Sequence, residues 1–513
     1  MAEDGMLDLL IVGGGINGAG IARDAAGRGL KVLLCEQADL AGATSSSSSK
    51  LIHGGLRYLE MYEFRLVREA LAEREVLLRA APHIIWPLRF VLPHDRLLRP
   101  AWLVRLGLFL YDHIGGRRSL PGTATLNLRG GSQGAPLKSE LTIGFEYSDC
   151  WVDDARLVVL NAKDAESRGT EVLVGTRCTA ARRVGNGDDA HWEAVLLDVA
   201  TGGERKVTAR ILVNAAGPWV DRFLQRALRR AAARNLRLVK GSHIIVPKLF
   251  EGGHAYIFQN TDKRVVFAIP YEQDFTLIGT TDLRYDGDPA EVAITADETA
   301  YLCTAVNRYF ERQAAPADVV RSYAGVRPLY DDKADSPSAV TRDYVFDVEG
   351  ETGDAPLLSI YGGKITTYRK LAEHALAKLK RHLPAMGPAW TETATLPGGD
   401  LPAGDFDRFV AGLRATFDFL PADLARRLAR LYGTLCLKFL DGAVRIDDLG
   451  EAFGAGLYER EVAYLVDHEW ARGVDDILWR RTKLGLAMPA EGRDRLESWL
   501  ADRFAAPERA LAS

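Results

Sequence analysis

The first residues able to do chemistry are Gly13, Gly15 and Gly18, in G-x-G-x-x-G spacing. The apolar run Leu9–Val12 leads into them and has the length of a buried strand. A helix should follow over about Asn17–Arg28, where Ala19, Gly20, Ala22 and Ala25 allow close packing on a sheet. A second apolar strand, Lys31–Cys35, ends at Glu36. Gly13 would make the turn, Gly15 would let the backbone approach a pyrophosphate, and Gly18 would permit close helix–strand contact. The helix start offers unpaired N–H groups and a positive dipole to that phosphate. Glu36 is placed to accept hydrogen bonds from an adenosine ribose. Strand, turn, helix, strand and acid in this order point to dinucleotide binding. They do not separate FAD from NAD.

The next polar cluster is the serine run Ser45–Ser49, preceded by Thr44 and followed by His53-Gly54-Gly55. Hydroxyls here can bond phosphate oxygens and flavin ribityl hydroxyls, and the glycines permit close approach to a planar ring. Arg57 and Tyr58 would then lie near whatever the ring meets. Further on, Ile211–Gly217 (ILVNAAG) is a buried strand with a small-residue end that can pass beside a dinucleotide. His243 opens a run of strands. Arginines recur in SYAGVR and AVTRDY, and PLLSIYGGKITT reads as strand, Gly-Gly turn and helix start.

Behind these groups stand 513 residues, 47% hydrophobic and 26% charged, enough for two or three domains with ample core. A net charge of −4 does not suggest nucleic-acid binding. The five cysteines are scattered without a C-x-x-C pair, which argues against a disulfide framework or zinc site and fits a reducing compartment. The start, MAEDGM, has no signal-peptide character, and no apolar stretch is long enough to span a bilayer. A cytoplasmic-side protein, soluble or peripheral, is therefore expected. The fold class expected is α/β, with a parallel-sheet dinucleotide domain, a second domain with a mostly antiparallel sheet, and an all-helical C-terminal cap. The dinucleotide domain should comprise residues 1–85, 145–237 and 320–385. Residues 86–144 and 238–319 should form the substrate domain, 386–404 a linker and 405–513 the helical domain.

Several expectations are local. The sequence predicts helices over Phe64–Arg79, Ala155–Arg168 and Thr367–His382, and separate strands at Lys206–Ala209 and Ile211–Gly217. Arg99–Ile114 is apolar nearly all round and flanked by Arg96, Arg99, Arg117 and Arg118. It reads as a buried helix of the second domain; an interfacial helix on anionic lipid is the lesser reading. Leu238–Asp282 reads as four antiparallel strands with period-2 alternation. In the C-terminal part Phe406, Phe409, Val410, Leu413 and Phe417 share a helix face, while Lys438, Arg480, Arg481 and Lys483 read as solvated surface charges.

These motifs together resemble the FAD-dependent glycerol-3-phosphate dehydrogenases of bacteria, in the D-amino-acid-oxidase-like flavoprotein superfamily. The resemblance rests on IVGGGINGAGIARDAAGRGL, ATSSSSSKLIHGGLRYLE, FEYSDCWVDDARL, VNAAGPWV, KGSHIIVP, IGTTD, AGVRPL, TRDY, GGKITTYRKLAEHAL and YLVDHEWARGVDDILWRRTK, in that order. It implies FAD rather than NAD, oxidation of sn-glycerol 3-phosphate to dihydroxyacetone phosphate, and a quinone as electron acceptor. It also implies peripheral attachment to the inner face of the cell membrane and a homodimer. The flavin contacts it carries over are Gly13, Gly15, Gly18, Glu36, Thr44, Ser45, Ser49, Lys50, Leu51, His53, Ala215, Gly217, Gly363, Lys364 and Thr366. Rival readings are an O₂-using oxidase or amine oxidase of the same fold, and a non-catalytic nucleotide-binding protein.

With that reaction in view, the C2 hydroxyl needs a proton acceptor of near-neutral pKa, and histidine suits the task. His243 is the candidate base, since His53 more naturally contacts the flavin through its backbone. The substrate phosphate calls for arginine, whose planar fork makes paired charge-assisted bonds. Arg327 is the first candidate, then Arg57 and Arg342, with Tyr58 orienting the substrate. Lys364 and the helix start after it would face the negative charge gained by the reduced ring, or the substrate phosphate.

Overall fold

The computed structural model of the chain describes residues 5–95, 100–116, 119–231, 235–260, 262, 264–331, 343–350 and 353–505, except the side chains of Arg57 and Glu60. The apolar runs build the centre of the first sheet. Strand Leu7–Val12 pairs in parallel with Val32–Glu36 on one side and Glu204–Asn214 on the other. Glu171–Val174 and Leu357–Tyr361 extend the parallel set outward. Alternate side chains explain why Leu9–Val12 is continuously apolar. Leu9 and Ile11 pack with helices Ile16–Gly27 and Tyr368–Leu379, while Leu10 faces Trp192, Leu196 and Phe223 on the opposite side. A strand covered on both faces has no polar side. Where the sequence suggested two strands, a single one runs from Glu204 to Asn214. Its first half is antiparallel to His191–Asp198 and its second half parallel to Leu7–Val12.

The second sheet is antiparallel apart from the parallel pair of Ala255–Gln259 with Ile85–Pro93. All four strands expected between Leu238 and Asp282 are present: Leu236–Pro247, Ala255–Gln259, Val265–Tyr271 and Phe275–Gly279. Leu51–Ile52, Ile143–Val152 and Arg321–Tyr330 also join this sheet, so segments expected in the first unit supply strands to the second. These crossing strands carry the serine run, His53 and Arg327 to the junction of the sheets.

Helix Ala101–Ile114 is not buried. Leu108 and Tyr111 alone are buried along it, packed with Val67 and Leu71 of helix Phe64–Ala80. Trp102 is 69% exposed and Phe109 51%, and Leu103, Leu106 and Leu110 are exposed with them. Burial in a core and burial in an interface demand the same apolar composition, so the sequence could not separate them.

Beyond residue 405, helices Phe406–Thr416, Ala422–Tyr432, Glu459–Glu469 and Ala490–Ala505 enclose a core that includes Phe409, Leu413, Leu428 and Leu465. The 386–404 segment is irregular but anchored. Trp390 Nε1 donates to Asp24 O and Leu396 N to Ala80 O. Lys438 is exposed as expected, but three of the four basic residues read as solvated are not. Arg480 and Arg481 pair with Asp39, and Lys483 pairs with Asp153. Their partners lie more than three hundred residues away in sequence, beyond any local pattern. Arg156 likewise crosses to Glu469 and caps Leu431 O at 3.0 Å. Removing one partner of a buried pair of this kind typically costs about 3–5 kcal/mol, because the other charge is left buried and unpaired.

Candidate active site

Each glycine of the first turn has a distinct steric reason. Gly13 takes φ +117°, and a Cβ there would lie 2.4 Å from Ala215 O. At Gly18 a Cβ would lie 1.9 Å from Gly13 O. Helix, turn and the strand end at Ala215 therefore touch through main chain. Gly15 differs: its φ of −81° is open to any residue, and a Cβ would meet only Ser45 Oγ, at 3.3 Å. That position faces free space at the helix start. Ser45 Oγ accepts from Ile16 N at 3.0 Å, and Asn17 Oδ1 is buried there with no partner among the described residues. Main-chain contact at two glycines and an open approach at the third fit a dinucleotide pyrophosphate. Glu36 ends its strand and accepts from Gly14 N and Ala38 N at 2.7 and 2.9 Å. Burial raises its pKa against the pull of those N–H groups.

The serine run links this cradle to the second sheet. Thr44 Oγ1 donates to Val326 O at 2.7 Å, and Ser49 Oγ lies 2.8 Å from His243 Nε2. Lys50 is buried, with its Nζ on Asp154 at 2.8 Å, and Asp154 also accepts from Ser48 Oγ at 2.7 Å. Leu51 pairs with Trp151. His53 N donates to Thr366 Oγ1, and Lys364 Nζ sits 4.0 Å from the centre of the Tyr58 ring. Gly363 takes φ +100° against Asn17, and Gly217 takes φ +54° just past Ala215. The 53–58 loop and the 363–366 turn are thus brought together.

His243 lies on strand Leu236–Pro247, its ring stacked on Tyr323 at 4.8 Å. Its neighbours across the sheet are Gly279 and then Phe267, and Phe267 meets His53 edge-on. A Cβ at Gly279 would lie 2.0 Å from the His243 ring, so glycine makes its room. The expectation of a near-neutral pKa is not met. Burial, and then Lys50 and Arg327, push His243 down to about 3, because the imidazolium would be both desolvated and repelled. His243 is therefore a neutral imidazole, and its Nδ1 is buried without a partner among the described residues. Arg327 donates to Thr281 O at 3.1 Å and faces Asp282 at 3.4 Å, with a third of its side chain exposed. Arg342 lies outside the described residues, as does the side chain of Arg57.

Sequence reasoning missed the groups behind these side chains. Gly54 N donates to Tyr111 OH at 2.8 Å, and Tyr111 OH to Asp149 at 2.8 Å. Arg74 holds Asp149 at 2.9 Å. Burial raises the Asp149 pKa against the pull of Arg74. This triad fixes the His53-Gly54-Gly55 loop. Glu298 does the same for the other wall, accepting from Ser242 Oγ and Thr281 Oγ1 at 2.8 and 2.9 Å and pairing with Lys240. Nothing local in the sequence marks them, since each partner comes from a different element.

The arrangement offers a cradle suited to a dinucleotide; near it Lys50 and Arg327 face the neutral imidazole of His243, and Lys364 faces His53 and Tyr58. That combination suits removal of hydride and proton from an anionic substrate. Residues 8–369 match the family model described as FAD-dependent oxidoreductase, and residues 389–501 match the C-terminal domain of alpha-glycerophosphate oxidase. The chain is 57% identical over 493 residues to a glycerol-3-phosphate dehydrogenase of Pseudomonas aeruginosa, covering 96% of this chain and 94% of the relative. It is 55% identical to a D-erythritol 1-phosphate dehydrogenase of Brucella abortus, covering 97% and 98%. Among solved structures, the glycerol-3-phosphate dehydrogenase of Bacillus halodurans complexed with FAD superposes with a TM-score of 0.78 at 29% identity, over 98% of this chain and 92% of that one. The cofactor is FAD, and the chain belongs to the FAD-dependent oxidoreductase family, in the branch that includes the bacterial glycerol-3-phosphate dehydrogenases.

Proposed function

We propose that this chain oxidises sn-glycerol 3-phosphate at C2 to dihydroxyacetone phosphate and passes the electrons to a membrane quinone. The observation that carries the reading is the meeting of neutral His243 with Lys50 and Arg327, beside the His53–Thr366 and Lys364–Tyr58 contacts. FAD, held by the Gly13–Gly18 turn with Glu36 and Ser45, would supply the acceptor for the C2 hydride. His243 takes the C2 hydroxyl proton. Ser49 holds its Nε2 side and Tyr323 sets the plane of its ring. Arg327, one of the two cations that depress its pKa, is the candidate phosphate ligand, so substrate entry would relieve that part of the depression and leave the larger part, burial, in place. Arg327 is the principal phosphate ligand, steered by Thr281 O and Asp282. Arg57 and Arg342 are the further candidates, with Tyr58 and Lys364 at the ring face.

Helix Ala101–Ile114 supports the membrane part of the proposal. No helix among the described residues is long and apolar enough to cross a membrane. Helix Ala101–Ile114 exposes Trp102 and Phe109, and Tyr62 and Phe64, just after the Leu56–Met61 turn, are exposed as well. Arg96, Arg99, Arg117 and Arg118 flank the helix in sequence, which suits an anionic bilayer surface. Docking there brings the Tyr58 loop toward the phase that holds a quinone.

The test is anaerobic bleaching of the bound flavin by glycerol 3-phosphate, compared with glycerol, amino acids and erythritol phosphate. Fast reduction by glycerol 3-phosphate alone supports the reading. Faster reduction by the four-carbon phosphate replaces it with the activity for which the Brucella relative is named, and reduction by amino acids with an amine oxidase. Reoxidation by a quinone analogue or by O₂ then separates dehydrogenase from oxidase.

A further inference from the structure

The WRRTK motif near the C-terminus takes no part in the site described above, yet Arg481 and Lys483 are buried and Arg480 is half-buried. Arg481 is wholly buried and bonds both oxygens of Asp39, at 2.7 and 2.9 Å. Arg480 reaches the same carboxylate while pairing with Asp476 on its own segment. Asp39 belongs to the loop after Glu36, which is tied to the phosphate turn through Ala41 N–Gly14 O at 3.1 Å and through Glu36 itself. Burial alone would raise the Asp39 pKa, but Arg481 and Arg480 hold it below the usual carboxylate range. Two residues on, Lys483 pairs with Asp153, which caps helix Asp154–Ser167 through Arg156 N. The next residue, Asp154, anchors Lys50 and Ser48 of the serine run. One short basic segment of the helical domain therefore grips the Glu36 loop directly and reaches the serine run through the adjacent residues Asp153 and Asp154. The segment Asp476–Arg481 is wound as a π-helix, a rare form often found at functional positions.

We propose that Arg480, Arg481 and Lys483 are positioning residues that close the adenosine-side and flavin-side loops over FAD, so that cofactor retention is coupled to docking of the C-terminal domain. The coupling is reciprocal: bound FAD stabilises the docked domain, and the docked domain slows FAD release. The two domains share no other Arg–Asp fork onto the Glu36 loop among the described residues.

The experiment measures FAD release from the holoenzyme by recovery of free-flavin fluorescence, with limited proteolysis of the C-terminal domain in parallel. Arg481→Met and Asp39→Asn should each speed release by about tenfold, within the usual range of coupling between sites. Each should also make proteolysis of the domain insensitive to added FAD. Arg481→Lys, which keeps the charge and loses the fork, should fall between. The control is Arg427→Met, which breaks the buried pair with Glu461 inside the helical domain and touches neither loop. Its FAD release should stay at the wild-type rate. Unchanged release in Arg481→Met and Asp39→Asn overturns the proposal. So does equal acceleration by Arg427→Met, which would mark a general loss of stability. Should Arg481→Met fail to fold, Asp39→Asn and Arg481→Lys, both near-isosteric, decide the matter by the same criteria.

Discussion

Gly15 and Gly18 lie three residues apart, and substituting alanine at each should separate folding from cofactor binding. At Gly18 the added Cβ would sit 1.9 Å from the Gly13 carbonyl oxygen, against an ordinary contact of about 3.5 Å. The obstacle is main chain and cannot swing away, so helix Ile16–Gly27 must lift from its strand by more than about 1 Å. Overpacking of this kind costs about 1–3 kcal/mol, and here the upper end applies. At Gly15 the Cβ meets only Ser45 Oγ at 3.3 Å, a hydroxyl that can turn, and the backbone is already extended. Replacing an N-cap glycine by alanine costs about 1 kcal/mol at most. If this turn holds the pyrophosphate, the same Cβ would project into its path. FAD at a hundred times its Kd stabilises a folded protein by about 2.7 kcal/mol. Gly15→Ala should keep nearly all apoprotein stability and lose that increment; Gly18→Ala should lose apoprotein stability first. Urea midpoints with and without FAD, together with flavin occupancy after gel filtration, measure both quantities. Full occupancy and an undiminished FAD increment in Gly15→Ala would refute the assignment of this turn to the pyrophosphate.

Four further outcomes follow. His243→Asn should slow anaerobic flavin reduction by about 10²–10⁴-fold, and a wild-type rate returns the base to His53 or to water. Arg327→Ala should lose kcat/KM on glycerol 3-phosphate but not on glycerol, and Arg327→Lys should already be costly; equal loss on both substrates places Arg327 in the scaffold. His83 and His243 are each held at about 3, His83 by burial and then by Arg156 and Arg430, so the unfolded chain binds protons that the folded one refuses. Stability from these two is full above pH 6.5 and falls as pH drops toward 3, by about 1.4 kcal/mol per pH unit for each histidine; apoprotein urea titrations should show His83→Leu flattening the acid side, and an unaltered slope refutes the assignment. Trp102→Glu with Phe109→Glu should weaken sedimentation with anionic vesicles while leaving turnover with a soluble dye intact, and unchanged sedimentation places the membrane contact elsewhere.

The sequence by itself determined whatever rests on local periodicity and steric minimum. Gly13, Gly15 and Gly18 could be assigned separate duties because a strand–turn–helix corner leaves each a different neighbour, and the structure keeps those neighbours distinct. The four strands after Leu236 and the helical face of Phe409 and Leu413 were legible because alternation and 3.6-residue periods are written in consecutive residues. Tertiary structure alone decided what depends on which distant groups meet. It buried Arg481 against Asp39 and left Trp102 in the open, though composition pointed the other way for both. It set the His243 pKa, since burial and two cations from other elements outweigh the intrinsic value of an imidazole. It also brought Asp149, Tyr111 and Arg74 together beneath Gly54. Periodicity is a property of neighbours in the chain, whereas charge pairing and desolvation are properties of neighbours in space, and only folding makes those known.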